Sequence, residues 1–328
     1  MSPDRWKRLA ADYAPMFVIW LIVVLAFGAM SENFLTPRTL STIAGQVPPL
    51  AIMACGMTLV LIIAGIDLSV GSVLALAGTV LCVALAHWKW PLAAAVLAGV
   101  AAGGLAGLCN GAVSVLLRVP SFIVTLGTMK MAFGLAMLVT DSETVSVGLR
   151  LEPFIQPVLG VPVSFAVAVV MVGATQFVLT NTVLGRHLVA IGTNENAVRL
   201  AGVATARKKI VVFTLSGLLS GVAAVFFAAR LGAVNADAGA GLELSAIAAV
   251  VIGGTSLMGG RGSVINSFIG VLIILTLDAG LAQTGAREFA KHMITGVVII
   301  IAVSLDALRM NLLPRLQNRF FSRTPPRP

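Results

Sequence analysis

Ten apolar runs follow one another along this chain, each close to the length that crosses a bilayer. The pattern predicts helices near Ala14–Met30, Pro48–Ala64, Val70–Ala86, Leu92–Leu117, Phe122–Val139, Val161–Leu179, Ile210–Ala229, Leu244–Gly254, Val264–Ala282 and Lys291–Leu308. A spanning helix needs about 20 apolar residues. The eighth run is short and passes into glycines. None of the runs has the apolar–polar alternation of a barrel strand, and open sheet edges are not tolerated in lipid. The expected class is an all-α, polytopic integral membrane protein with about 10 transmembrane helices. Composition agrees: 58% of the 328 residues are hydrophobic and 11% are charged, against roughly 25% charged in soluble domains.

Basic residues orient the chain. With the N-terminus inside, fifteen of the 22 Lys and Arg fall on the cytoplasmic side, six fall outside, and Lys130 lies within the fifth run, from where it can snorkel to the inner face. Both termini are therefore expected in the cytoplasm. Residues 1–13 form a cytoplasmic segment, 14–308 one transmembrane domain, and 309–328 a basic cytoplasmic tail. The net charge of +9 reflects this positive-inside bias rather than nucleic-acid binding. The first run resembles a signal peptide but exceeds the usual h-region of about 7–15 residues, so it is read as an uncleaved span. Cys55, Cys82 and Cys109 all lie in apolar runs without a CxxC pair and are expected to be small buried packing residues.

One carboxylate stands between two uncharged stretches, in "GIDLSVGS", Gly65–Ser72. The charge count places Asp67 at the cytoplasmic end of a hairpin, where it need not be deeply buried. Asp67 or Ser69 can N-cap the third helix by accepting backbone N–H bonds. A late stretch echoes this one. "LIIAGIDLSVGSVLALAG" (Leu61–Gly78) and "AVVIGGTSLMGGRGSVINSFIG" (Ala249–Gly270) both run apolar helix, glycine, short polar piece, Gly-Ser-Val and apolar helix. Ser256 stands where the first has Asp67. A parallel internal repeat, with spans one to four echoing seven to ten, fits this pattern. Glycines at Gly65 and Gly71, and at Gly253, Gly254, Gly259, Gly260 and Gly262, allow backbones to approach closely or pivot.

The longest polar insert on the cytoplasmic side is residues 180–209. Within it Asn194 can cap a short helix, with Glu195 in its first turn and Gly202 past its end. Ala197, Val198, Leu200 and Ala201 give a small, apolar surface flanked by basic residues such as Arg199. Such a helix can lie on lipid headgroups or be presented to a cytosolic partner. There is no GxxxxGK[ST] phosphate loop. His87, His187 and His292 are far apart, which argues against a metal site. No Ser, His and Asp are placed as a nucleophilic set. Asp278 stands out as an ionisable group within a span and is a candidate for a polar translocation path. The chains of buried charges that ion-driven pumps usually carry are missing, which argues against an ion-coupled secondary transporter.

Four stretches together carry a resemblance that covers nearly the whole chain: "AIMACGMTLVLIIAGIDLSVGSVLALAG" (Ala51–Gly78), "VPSFIVTLGTM" (Val119–Met129), "LGRHLVAIGTNENAVRLAGV" (Leu184–Val203) and "GLELSAIAAVVIGGTSLMGGRGS" (Gly241–Ser263). The chain resembles the membrane-spanning permease subunit of bacterial ATP-binding-cassette importers for monosaccharides, the ribose-permease type. The resemblance implies a bacterial inner-membrane subunit that pairs with a second permease. It also implies a cytosolic ATPase that uses ATP and Mg, and a periplasmic sugar-binding protein. No catalysis and no cofactor would belong to this chain. The segment around Gly192, Asn194, Glu195 and Gly202 matches the part of the family taken to dock on the ATPase, which favours the partner reading of that helix. Where relatives often carry Asn-Asn-Gly-Leu, this chain has "LDAGL", Leu277–Leu281, so Asp278 departs from the family pattern in a way that bears on the substrate.

Overall fold

The computed structural model describes residues 3–158 and 161–287 and part of the segment from 289 to 304, with side chains from Tyr13 onward. Ten α-helices succeed one another: α1 Pro3–Met30, α2 Pro37–Ile62, α3 Val70–Ala86, α4 Leu92–Leu116, α5 Ser121–Thr140, α6 Val163–Asn181, α7 Val183–Leu200, α8 Thr205–Leu231, α9 Leu242–Ile252 and α10 Val264–Gln283. Nine of the ten apolar runs are thus helical. The tenth, Lys291–Leu308, is described at half of its residues, and those are helical; His292 and the basic tail lie outside the described residues. Seven of the described helices are long and apolar enough to cross a bilayer; α3 and α9, with 17 and 11 residues, fall short.

Several boundaries differ from the sequence reading: α1 begins at Pro3 rather than Ala14, and α8 at Thr205 rather than Ile210. Helix α2 begins at Pro37, not Pro48, and carries Pro48 and Pro49 in its interior. Prolines are tolerated there because neighbouring helices support the interrupted ladder. Helix α7 starts at Val183, so residues 180–209 hold more helix than the short piece predicted. The all-α reading also needs one qualification: two-residue strands pair Val145–Ser146 with Ala233–Val234, and Pro157–Val158 with Val161–Pro162.

The bundle is built around α2. Of its most apolar 18-residue window 89% is buried, against 0% for α1 and 17% for α5. The periphery is oily: Leu97, Leu116 and Leu138 are exposed on α4 and α5, as expected where lipid is the solvent. Cys55 and Cys82 are buried as expected, but Cys109 is exposed on this outer surface. Helix α4 meets α8 through glycines spaced four apart on both, Gly103 and Gly107 against Gly217 and Gly221. A Cβ on Gly103 would meet the Gly217 carbonyl, and one on Gly107 would meet the Phe213 carbonyl. Small residues allow such contact, and in lipid van der Waals packing of this kind drives helix association.

After α8 the chain turns back along α3. Val234 lies against Gly78, and Gly239 lies against the backbone of Gly71. Within the segment from Ala233 to Gly241, Val234 and Gly239 are buried against α3 while Asn235, Asp237 and Ala240 are exposed, and α9 follows as a half-length helix.

Gly107→Ala should destabilise the purified protein by about 1–3 kcal/mol, since backbone lies where the methyl must go. Gly134→Ala on α5, where a Cβ would meet nothing within 4 Å, should be neutral or stabilising by about 1 kcal/mol. Thermal unfolding in detergent distinguishes the two.

Candidate functional site

Helices α2, α7 and α9 end in the same way. In each a residue at positive φ follows the helix: Ala64 (φ 57), Gly202 (φ 82) and Gly254 (φ 83). The next amide reaches back five residues: Gly65 N–H to Val60 O at 2.9 Å, Val203 N–H to Val198 O at 3.3 Å, and Thr255 N–H to Val250 O at 3.2 Å. This closing pattern satisfies carbonyls that a helix C-terminus otherwise leaves open. The predicted roles of Asn194 and Gly202 hold: the Asn194 side chain accepts the Ala197 N–H at 3.0 Å, and Gly202 follows the short helix. Asn194 is extended (φ −159), which separates Val183–Thr193 from the piece that follows.

The segment after α2 does not end at a surface. It runs into the bundle, and Asp67 is 1% exposed. Its partner Ser216 lies roughly 16 Å of helix rise along α8 from Thr205. The expectation of a shallow hairpin residue is therefore corrected: charge asymmetry says which end a turn belongs to, not how deep its residues lie. The capping expectation is also corrected in detail. Ser69 takes the N-cap position of α3, but its side chain makes no cap hydrogen bond. Instead Asp67 Oδ1 accepts the Ser69 N–H at 3.0 Å and the Ser69 hydroxyl at 2.6 Å, and Asp67 Oδ2 accepts the Ser216 hydroxyl at 3.0 Å. Asn110 of α4 donates to Ser69 Oγ at 2.8 Å. Burial works against the carboxylate, while three donated hydrogen bonds and the start of α3 work for it.

The rest of this turn is held from α5. Ser121 Oγ accepts the Ile66 N–H at 3.0 Å, and Thr125 Oγ1 accepts the Leu68 N–H at 3.1 Å. Ser121 and Thr125 belong to the "VPSFIVTLGTM" stretch, whose function local pattern did not reveal. Their spacing of four in the apolar first turns of α5 was the available signal, because it puts both hydroxyls on one face.

At the second turn Ser256 Oγ accepts the Met258 N–H at 3.2 Å, two residues on, as Asp67 accepts that of Ser69. Gln176 of α6 accepts the Val264 N–H at 2.8 Å where α10 begins. The echo thus extends to hydrogen bonding. The flanking helices differ: a long helix precedes and a short one follows the first turn, and the order is reversed at the second.

The three predicted sets of residues meet. Gly260 N–H donates to Ile62 O at 2.9 Å, joining the second turn to the end of α2. Gly259 (φ 85) lies against Ala64, and Gly260 (φ 76) against Thr193. A Cβ on Gly192 would meet both the Ile62 carbonyl and the Gly260 amide. Gly71 lies apart, against Gly239 and Glu243 deeper in the bundle. Glu195 pairs with Lys209 at 2.8 Å, so its charge is shared with the start of α8. Ala197, Arg199 and Leu200 are exposed, Leu200 by 88%. A cavity of about 640 Å³ opens beside them, lined by Gly65, Arg118, Ser121, Glu195, Arg199 and Lys209 among others. Asp278 is not part of this cluster; it lies toward the other end of α10 and lines a separate cavity.

This arrangement joins an exposed helix to two buried turns through backbone contacts, and comparison with known proteins gives it a setting. Residues 39–303 match the family model described as branched-chain amino acid transport system / permease component. The chain belongs to this permease family. It is 39% identical to the ribose import permease protein RbsC of Escherichia coli (strain K12), over 87% of this chain and 91% of that one. It is 36% identical to the D-allose transport system permease protein AlsC of the same strain, over 94% and 95%. It is 32% identical to the fructose import permease protein FrcC of Rhizobium meliloti, over 88% and 83%. No solved structure matches the chain. As a permease it spans the membrane, and the matched region holds the two turns and the segment between α6 and α8.

Asp67→Ala should cost about 3 kcal/mol, because buried donors lose their acceptor. Asp67→Asn keeps an acceptor for Ser69 and should cost about 1 kcal/mol. Thermal unfolding of the two purified variants checks this; equal stability would show that the turn does not depend on the network.

Proposed function

We propose that this permease is the membrane-spanning subunit of an ATP-driven importer that carries a monosaccharide inward across a bacterial inner membrane. The observation that carries this reading is the match, over nearly full length, to permeases named for ribose, allose and fructose. In this reading the chain spans about 10 times, with both termini in the cytoplasm, and pairs with a second copy. ATP and Mg are used by a separate cytosolic ATPase, and a periplasmic binding protein delivers the sugar. The exposed piece Glu195–Leu200 receives movement from the ATPase. Gly192 passes it to Ile62 and Gly260, because backbone in direct contact leaves no compliant side chain between. The turns then reset the half-length helices α3 and α9, exposing the path alternately to the two sides. Asp67 holds the first turn in register with α8 while this happens.

Proteoliposomes containing the permease, its ATPase and its binding protein should take up D-ribose, D-allose or D-fructose only with ATP. Uptake driven by a proton or sodium gradient without the ATPase would overturn the reading. Glu195→Lys places a second cation beside Lys209 at the exposed helix start and should weaken ATPase capture roughly tenfold, measured by pull-down from detergent. Undiminished capture would remove Glu195 from the docking surface.

A further inference from the structure

A second cavity, of about 360 Å³, lies away from the turns and holds a different chemistry. Its polar lining is Gln46, Arg230, Ser245, Asp278 and Lys291, with Phe227 among the apolar walls. Four helices converge on it: the first half of α2, the end of α8, the start of α9 and the second half of α10. Each of these is the end of its helix far from the coupling contacts of Ile62, Gly192 and Gly260. The cavity therefore belongs to the half of the bundle opposite the basic segment Arg207–Lys209.

The composition of this lining restricts what it can hold. Asp278 is half-buried and accepts only, whereas the Arg230 guanidinium donates only. They line one cavity yet form no ion pair with each other, so both polarities are offered to an occupant. An anion would face Asp278, and a cation would face Arg230. A neutral solute with several hydroxyls matches both, since each hydroxyl donates and accepts. Gln46 and Ser245 add an amide and a hydroxyl of the same mixed character. Pro48 and Pro49, without N–H groups, interrupt the α2 ladder beside Gln46. The Arg230 guanidinium lies 5.6 Å from the centre of the Phe227 ring, which supports its position. The volume falls near the lower limit of small-molecule sites, about 300–1,000 Å³, and suits a single sugar ring rather than an oligomer.

We infer that this cavity is the solute site of the permease, that its occupant is a small neutral polyol, and that Asp278 accepts hydroxyl hydrogen bonds from it. This rests on the sugar-import reading. It assigns the carboxylate a role in recognition rather than in ion coupling.

The test uses the complete complex in proteoliposomes, with radiolabelled D-ribose, D-allose and D-fructose as probes. Asp278→Ala should lower the maximal uptake rate of the transported sugar about tenfold, because the solute hydroxyls lose their acceptor. Asp278→Asn retains an acceptor and should lose less than about threefold. Co-purification of the ATPase with each variant reports assembly. An assembled Asp278→Ala complex with the wild-type rate overturns the site and leaves the sugar reading standing. A wild-type complex that carries none of the three sugars overturns the sugar reading, and the site falls with it. If Asp278→Ala fails to assemble, Ser245→Ala and Gln46→Leu decide: rates lowered at least threefold (roughly 0.7 kcal/mol) in both support the site, and anything less overturns it.

Discussion

Backbone that leaves a helix inside a membrane must find hydrogen-bond partners in the protein, because lipid offers none. The segment from Ile63 to Ser69 is the place where this constraint bears hardest. It leaves α2, enters the bundle and begins α3 below the surface. Beyond the main-chain bonds that close α2 and open α3, its partners are side chains: Asp67 from the segment itself, Ser121 and Thr125 from α5, Ser216 from α8 and Asn110 from α4. The result ties three further helices, α4, α5 and α8, to one turn between α2 and α3. A broken helix could have been the weakest part of the bundle; here it is the place where most elements are joined. The Asn110 carbonyl oxygen remains buried without a partner among the described residues, so the network is satisfied at its centre and open at one edge.

The second dependence is on glycine at the basic end. The end of α2, the second turn and the break in α7 touch through main chain, at Ile62, Gly260 and Gly192. Side chains at these points would hold the elements several ångströms apart and would absorb displacement by changing rotamer. Main-chain contact transmits it instead. Positive φ at Gly259 and Gly260 lets the turn present its amide to Ile62 while returning to α10. A substitution there would face both a steric and a conformational penalty, so the position is constrained twice.

Much of this was legible in the sequence. Uninterrupted apolar length gives the helices directly, and Asn194 and Gly202 bracket a helix by chemistry that acts within a few residues. What escaped depended on distance. Asp67 and Ser216 are far apart in the chain, and nothing local in "GIDLSVGS" reveals that its carboxylate will meet α8. Charge counting assigned the turn a side of the membrane but could not resolve depth, because every residue between two spans looks alike to it. The half-length of α9 was visible, since its run stops at glycines after few residues. The contacts that Val234 and Gly239 make with α3 just before it were not, because the segment around them has the composition of a surface loop.

Helix α9 shows why the half-length matters. It has 11 residues, about 16 Å of rise. Leu242 and Ser245, at its start, line the cavity that holds Asp278. Gly253 and Gly254, at its end, lead into the turn that touches Ile62 and Thr193. One short rigid element therefore has the solute cavity at one end and the coupling contacts at the other. A full spanning helix anchored in both headgroup layers would resist sliding or tilting, because each end would have to move through an interface. A half-helix held at both ends by protein has no such anchor. The difference between Asp67 and Ser256 follows from the same geometry. The first turn must hold the start of α3 against α8 deep in the bundle and uses a carboxylate that can accept from several donors at once. At the second turn the Ser256 hydroxyl accepts the local Met258 N–H.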